Sequence, residues 1–295
     1  MPRVSPAMVR KVASHDPLLG MLLPVCRTAE AARQELRWIR TELNHAGPSV
    51  RRACALRARS VPLQYVLGSQ PFGELQILCE RNVLIPRWET EEWASELAAR
   101  WRRATSSRVT APTVVDLCTG TGCVALLLKR ALPRAEITAV DCSRFAVALV
   151  TKNLHHNDVG HVTVLQRDIL RDERPAISAD LVVCNPPYIP RDAFVRDATT
   201  SVKVYEPRLA LVADKEFYTN LCDVWLPHTR SFVYEIGDEG QARFVADRIS
   251  ARADGRRWAI GLRRDSNGKP RVVYGFRTDD ARLHRVYDGF GYLVT

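Results

Sequence analysis

Long apolar runs are missing from this chain. No stretch nears the roughly eighteen consecutive apolar residues that a membrane-spanning helix requires, and the longest, such as 124–128, have the size of a core segment. A spanning helix is thereby excluded, and no membrane partner is expected. The eight cysteines include no Cys-x-x-Cys pair and join no histidine at zinc-ligand spacing, so no metal is expected. Several sit inside apolar runs, as in Val182-Val183-Cys184, and read as small buried hydrophobes of a reducing compartment, without disulfides. Internal repeats and low-complexity tracts are absent. So are acids from the first fifteen residues, which carry Arg3, Ser5, Arg10, Lys11 and Ser14. That is the composition of an organelle import signal. It is also that of an ordinary first helix, capped by Ser5 with Pro6 at its first position.

The chain does contain enough to fold: 295 residues with 46% apolar content build one large domain or two modest ones. Charge is uneven. Residues 1–70 hold eleven Arg or Lys against four acids, which is +7 of the net +10. Such a field attracts acidic partners, whether nucleic acid or an acidic protein surface; a generally basic solvated face is the alternative.

Residues 1–60 read as a small helical bundle. Asp16-Pro17 opens a helix, Thr28 caps the next, and Ala29, Ala32, Leu36, Ile39 and Leu43 recur at three- and four-residue steps. Over 61–86, Gly68, Pro71 and Gly73 punctuate extended pieces at 76–78 and 83–85, a hairpin-like linker. A helix over 89–103 presents Trp93, Leu97 and Trp101 on one face. From 113 onward, apolar strands at 113–117, 137–140, 162–165, 181–184, 232–236 and 258–262 alternate with helices. The remainder, 87–295, is therefore an α/β domain with an open, mostly parallel sheet and helices on both faces. Ser266-Asn267-Gly268-Lys269 turns into a last, antiparallel strand at 271–276, and 278–295 have no assigned place or role.

The first strand runs into Asp116-Leu117-Cys118-Thr119-Gly120-Thr121-Gly122 and then a helix. Glycines at such a turn let backbone approach a ligand, and the helix start offers free N–H groups to an anion. Asp141, twenty-one residues after Gly120 at the end of the next strand, can accept from both ribose hydroxyls. Gly120, Gly122 and Ala125 also meet a dinucleotide pattern. Two acids tilt the reading to S-adenosylmethionine. Asp116 is placed to face the amino group of a methionine moiety, with Thr119 in the loop that holds the carboxylate. Asp168, after the third strand, can accept from an adenine amino group or cap a helix.

After the fourth strand comes Asn185-Pro186-Pro187-Tyr188-Ile189-Pro190. At the carboxyl end of a central strand this turn faces the ligand crevice. Its chemistry suits methyl transfer to a planar nitrogen. The Asn185 side-chain oxygen accepts one hydrogen of the acceptor, the Pro186 carbonyl accepts the other, paired prolines lock the turn, and Tyr188 stacks on the flat group. The substrate site is thus Asn185, Pro186, Pro187 and Tyr188, with Asn185 also beside the cofactor. A tight structural turn or a polyproline ligand is the bland alternative, and the buried strand before it argues against the ligand.

Several separate stretches carry a resemblance to a known family. They are Pro62-Leu63-Gln64-Tyr65 with Gly68, Leu84-Ile85-Pro86-Arg87-Trp88-Glu89-Thr90-Glu91, the 116–122 loop, the 185–190 turn, Glu206-Pro207-Arg208-Leu209-Ala210-Leu211 and Glu235-Ile236-Gly237. The chain resembles the HemK/PrmC family of release factor glutamine methyltransferases over roughly 60–276, and its opening is most similar to fungal mitochondrial members. The resemblance implies a Rossmann-like S-adenosylmethionine-dependent methyltransferase sheet. It implies an acceptor, the glutamine amide nitrogen in the Gly-Gly-Gln motif of a class I peptide chain release factor. It further implies an N-terminal domain that docks that factor, with ribosome association open, a monomer, and a place in the mitochondrial matrix or, alternatively, a bacterial cytoplasm. Three departures stand out: Trp88 where the family has proline, Cys118 where glycine is common, and a tail beyond Phe276. The 89–91 acids fit a lid over the acceptor pocket or an acidic helix start equally. Because the turn occurs in adenine methyltransferases of DNA and RNA too, that activity is the alternative, and a non-enzymatic adaptor that binds release factors is a third reading.

Overall fold

The computed structural model describes residues 4–43, 47–105, 111–173 and 176–294; the first three residues of the acid-free opening fall outside them. Helix α1 (Pro6–His15) begins where Ser5 Oγ accepts from Met8 N, with Pro6 at its first position. Asp16 caps α2 (Pro17–Cys26), Thr28 caps α3 (Ala29–Glu42) and Ser49 caps α4 (Val50–Ala58). Each capping oxygen satisfies an N–H that the helix start leaves without a partner. The helices enclose Leu22, Leu36, Ile39 and Cys54. Arg57 and Glu35 lock α4 to α3 through two hydrogen bonds of 2.7 and 3.1 Å. Arg33, Arg37, Arg40, Arg51, Arg52 and Arg59 stay exposed on the outside.

The next residues depart from the expected linker. Residues 63–67 form a short helix, α5 (Leu63–Leu67), ended by Gly68 at φ +87°. Val61, Val66 and Leu67 bury into the bundle's own apolar cluster, so its core runs past residue 60. One turn of helix is too short for periodicity to reveal. The hairpin follows as β1 (Ser69–Phe72) against β2 (Leu75–Leu78). Fully buried Asn153 fastens it: Oδ1 accepts from Leu78 N, and Nδ2 donates to the Leu78 and Thr121 carbonyls. Among the described residues the piece at 83–85 pairs with no strand; Tyr65 Oη donates to the Val83 carbonyl at 2.6 Å instead.

Helix α6 (Trp88–Ala104) leads into the alternating region: β3 (Thr113–Leu117), α7 (Cys123–Ala131), β4 (Glu136–Asp141), α8 (Arg144–His156), β5 (Thr163–Gln166) and β6 (Leu181–Cys184). Then come α9 (Arg191–Asp197), α10 (Thr200–Tyr205), α11 (Glu216–Asn220), β7 (Ser231–Glu235), α12 (Glu239–Ser250), β8 (Trp258–Arg264), β9 (Pro270–Arg277), α13 (Ala281–Tyr287) and β10 (Tyr292–Leu293). The sheet order is β10-β8-β9-β7-β6-β3-β4-β5 among the described residues, parallel from β7 to β5. Central strands such as β6 are buried along their whole length, as strands covered on both faces must be. Helices α6, α7 and α13 cover one face, and α11 and α12 the other. The order in which strands are added reverses at β3, with β4 on one side and β6 on the other, which opens a crevice at their carboxyl ends.

The strand expected at 271–276 is β9, antiparallel as expected; it lies between β7 and β8 and is followed by β10. Residues 278–294 also have a place. Tyr287 of α13 stacks on Phe276 and Tyr274 with ring centroids 5.0 and 5.4 Å apart, and β10 pairs with β8. Tyr287 and Phe290 are thereby part of the core, whereas Tyr292 on β10 is exposed.

Trp88 takes the first position of α6, and Arg87 before it is extended at φ −104°, ψ 145°. A proline at 88 meets both of its backbone requirements. Trp88→Pro is expected to stabilise the chain by about 0.5 kcal/mol through reduced unfolded-state entropy, roughly 1–2 °C in a thermal melt. A fall of several degrees would show that the half-exposed indole packs more tightly than its exposure suggests.

Candidate active site

Four acids and amides from four successive strand ends surround one cavity of about 260 Å³: Asp116 in β3, Asp141 ending β4, Asp168 beyond β5 and Asn185 beyond β6. Thr119, Gly120 and Pro187 line the same cavity. Gly122, Pro186 and Tyr188 do not, although the sequence placed them with the others. Gly122 instead sits at φ +81° where α7 begins, and a Cβ there would press on Leu126 and Val150 at 3.0 Å.

The loop between β3 and α7 needs the left-handed region three times, at Cys118 (φ +54°), Gly120 (φ +58°) and Gly122. Glycine takes that conformation freely, whereas Cys118 does so at a cost of about 1–2 kcal/mol. The loop is held in this shape by its acids. Asp116 Oδ2 accepts from Thr119 Oγ1 at 2.6 Å and from Ala125 N at 3.2 Å. Asp141 Oδ2 accepts from Gly120 N and Oδ1 from Ser143 N, both at 2.9 Å. Burial pushes the Asp116 carboxyl up to about 7, against its two hydrogen bonds, and also raises Asp141. Bordering the cavity, these buried acids are candidates to meet a positively charged or hydrogen-bond-donating part of a ligand. Asp168 is more exposed; its Oδ1 accepts from Leu170 N at 3.0 Å in a turn while the side chain borders the cavity. It thus combines lining with local capping, though of a turn rather than a helix.

Asn185 is half-buried, and its Nδ2 donates to Thr90 Oγ1 at 3.2 Å. Tyr188 departs from the expected stacking role. Its ring lies against Gly237, where any Cβ would sit 3.0 Å away, and its hydroxyl donates to Glu235 Oε1 at 3.0 Å. Gln241 Nε2 donates to the Tyr188 carbonyl at 2.9 Å, so the turn is gripped from beneath. Glu235 is fully buried and also accepts from Thr90 Oγ1 (2.7 Å) and Trp93 Nε1 (3.0 Å). Burial raises its carboxyl, and these donors oppose the rise.

Sequence reasoning missed two groups here. Thr90 lay unmarked between Glu89 and Glu91, and Glu235 was quoted without a role. The neighbouring acids serve the scaffold: Glu91 accepts from Gly73 N at 2.9 Å, and Glu89 faces Arg271 at 3.7 Å. Also missed was the pair of Arg87 with buried Glu206, at 2.7 and 2.8 Å; Glu206 accepts from Ile85 N as well. Glu206 thereby ties the 84–91 stretch to the 206–211 stretch, and both edge the cavity.

Residues 102–206 match the "Methyltransferase small domain" family. The solved structure of the hMettl16 catalytic domain in complex with MAT2A 3'UTR hairpin 1 is similar in fold, at a TM-score of 0.50 and 16% identity, over 78% of this chain and 82% of that one. Fold and family match define the class, a Rossmann-like methyltransferase. Two curated relatives narrow it. The "Mitochondrial MRF1 N(5)-glutamine methyltransferase MTQ1" of Saccharomyces cerevisiae is 47% identical over 99% of this chain and 95% of its own length. The "Probable MRF1 mitochondrial N(5)-glutamine methyltransferase mtq1" of Schizosaccharomyces pombe is 35% identical over 90% and 94%. The chain belongs to this N(5)-glutamine methyltransferase family.

The Asp116 carboxyl yields a pH dependence. Raised above the ordinary carboxylate range, it keeps a proton in the folded chain that the unfolded chain has released. Between roughly pH 4 and 7 its contribution to stability without ligand therefore falls as pH rises. A ligand ammonium favours the ionised form, so affinity for S-adenosylhomocysteine is expected to tighten as pH climbs from 5.5 to 7 and to lose that slope in Asp116→Asn. Titration calorimetry across that range checks it; an equal slope in the variant would remove Asp116 from the amino-group site.

Proposed function

We propose that this chain transfers a methyl group from S-adenosylmethionine to the side-chain amide nitrogen of the glutamine in the Gly-Gly-Gln motif of a mitochondrial class I peptide chain release factor. The observation that carries the reading is the cavity shared by Asp116, Asp141 and Asn185. It joins an acid suited to an ammonium, an acid suited to a ribose and an amide suited to an amide. The apolar wall supplied by Ile85, Val124, Val140 and Leu170 suits an adenine between them.

The residues present fit the cofactor. Asp116, with Thr119 and Gly120 beside it, would hold the amino acid end, Asp141 the ribose, and Asp168 the adenine edge. When bound, the cofactor supplies a methyl group already activated on a sulfonium. The protein's task is then to bring up a poor nucleophile, since an amide nitrogen has its lone pair delocalised into the carbonyl. Asn185 Oδ1 accepts one amide hydrogen and the Pro186 carbonyl the other, which turns the nitrogen lone pair toward the methyl carbon. The amide nitrogen held in this way would take up that methyl group and then lose its extra proton to water. Positioning and the two accepted hydrogen bonds supply the rate gain, because positive charge grows on that nitrogen. Tyr188, with its hydroxyl on Glu235, acts by fixing the turn.

Residues 1–60 would dock the factor with their exposed arginines, and residues 61–86 would join that docking domain to the catalytic part, 87–295. The mitochondrial setting rests on the two relatives, both of which carry it in their names.

Incubation with methyl-labelled cofactor and a mitochondrial release factor, DNA or ribosomal RNA tests the reading. Label is expected on the Gly-Gly-Gln glutamine, and label on nucleic acid alone would overturn it. Asn185→Ala is expected to lower turnover by about 100-fold or more, with cofactor affinity within about threefold on the view that only transition-state contacts are lost.

A further inference from the structure

We infer that Glu235, acting through Thr90, fixes which end of the Asn185 amide faces the reacting nitrogen. The inference rests on the reading of Asn185 given above and adds two positioning residues to it. The amide of an asparagine is nearly symmetric in shape but opposite in chemistry at its two ends. If Oδ1 faces the acceptor it receives an N–H; if Nδ2 does, two donors confront each other and the lone pair is drawn away from the methyl carbon. Some group must break the symmetry.

The hydroxyl of Thr90 does so by counting hydrogens. It has one, and that one lies on Glu235 Oε2 at 2.7 Å. Toward Asn185, 3.2 Å away, Thr90 can therefore only accept. An amide NH₂ fits there, whereas an amide oxygen would face a second oxygen with no hydrogen between them. Glu235 makes the assignment firm because, when ionised, it is an acceptor at both oxygens. Trp93 Nε1, which only donates, approaches the same Oε2, and Tyr188 Oη takes Oε1. Indole, hydroxyl and phenol all point their hydrogens inward, so the Thr90 hydrogen has no second carboxylate oxygen to turn to and no reason to leave. Oδ1 of Asn185 is left toward the cavity that Thr90 and Asn185 both line.

This polarity chain makes a prediction that a simple structural role does not. What matters at 235 is an acceptor beside Thr90, not a charge. In Glu235→Gln the carbonyl oxygen stays with Thr90 and Trp93, while the NH₂ turns to Tyr188, whose hydroxyl can accept. The full-length chain is assayed with cofactor and release factor, following kcat, KM for the factor, cofactor affinity and the thermal melt. Thr90→Ser is expected to keep kcat within about threefold, and Glu235→Gln within about fivefold. Thr90→Val is expected to lower kcat on the order of 10- to 100-fold, with KM and cofactor affinity within about threefold, the pattern of a contact used only in the transition state. The double variant Thr90→Val with Glu235→Gln is expected to match Thr90→Val alone, because the carboxylate acts through the hydroxyl.

A Thr90→Val enzyme with unchanged kcat, or with its loss confined to KM, would overturn the inference. So would Glu235→Gln falling as far as Thr90→Val with an unchanged melt, which would assign the effect to charge. If the wild-type chain labels a nucleic acid base and no glutamine, the proposed acceptor falls. The same Thr90 series measured on that base still decides the polarity.

Discussion

Burying a carboxylate costs more than any one hydrogen bond returns, so a fully buried Glu235 has to be held by several donors at once. The three it recruits come from two places far apart in sequence: Thr90 and Trp93 on α6, and Tyr188 in the turn after β6. The acid itself ends β7. A single side chain thus fixes the distance between the helix that edges the cavity, the turn that reaches into it and the sheet that carries both. Removing it would leave an indole N–H and two hydroxyls without partners in the interior. Asp116 and Asp141 present the same cost with a different solution, since each is held by the loop it shapes and retains a side open to the cavity. One side of the site therefore presents hydrogen-bonded acids to the cavity itself, and the other is braced from behind by an acid that three donors hold.

A second buried acid joins the remaining parts. Glu206 gathers the Arg87 guanidinium and the Ile85 N–H, while Tyr205 beside it donates to the Arg59 carbonyl at 2.9 Å and lies under Arg81. Bundle, linker and cavity edge are in this way tied at neighbouring residues. A force applied to the basic bundle would reach the cavity edge through Tyr205 and Glu206 rather than through a flexible tether. That coupling suits a docking domain whose partner must present one side chain at a set depth, because misplacing a reacting atom by about an ångström costs on the order of 100-fold in rate.

The alternation of strands and helices from residue 113, the helix starts at Ser5, Asp16 and Thr28, and the acids at strand ends were legible in the sequence. Each depends on local rules: period, capping chemistry, and the geometry of a strand that ends at a ligand crevice. What stayed hidden depends on contacts between distant stretches. Nothing near Thr90 marks it, since its partners Asn185 and Glu235 lie 95 and 145 residues away. Tyr188 looked like a stacking platform because its neighbours are flat and rigid; only the packing of Gly237 against its ring shows where it points. The tail beyond Phe276 had no visible role for the same reason, as its aromatic residues answer to Tyr274 and Phe276 on β9. Residues 63–67 failed for a different one: five residues carry too little pattern to separate a turn of helix from an extended piece.

On the reading proposed above, the turn at 185–188 suits planar nitrogens in general, and its geometry does not name one. Its polarity can be set by two hydrogens on a carboxylate, which is a property of the interior and indifferent to what enters from outside. The choice of acceptor then has to lie in the surfaces around the mouth. Leu209, exposed, lines the cavity beside Pro207, and exposed Trp88 follows Arg87 of the cavity wall. Those are also the stretches, 84–91 and 206–211, that Glu206 binds to one another. On that reading, a site divided in this way lets one turn serve different acceptors, since the mouth can change without disturbing the Thr90 hydroxyl and the Glu235 carboxylate behind Asn185. It also explains why membership of the glutamine-modifying family is written in the flanking stretches and not in the turn itself.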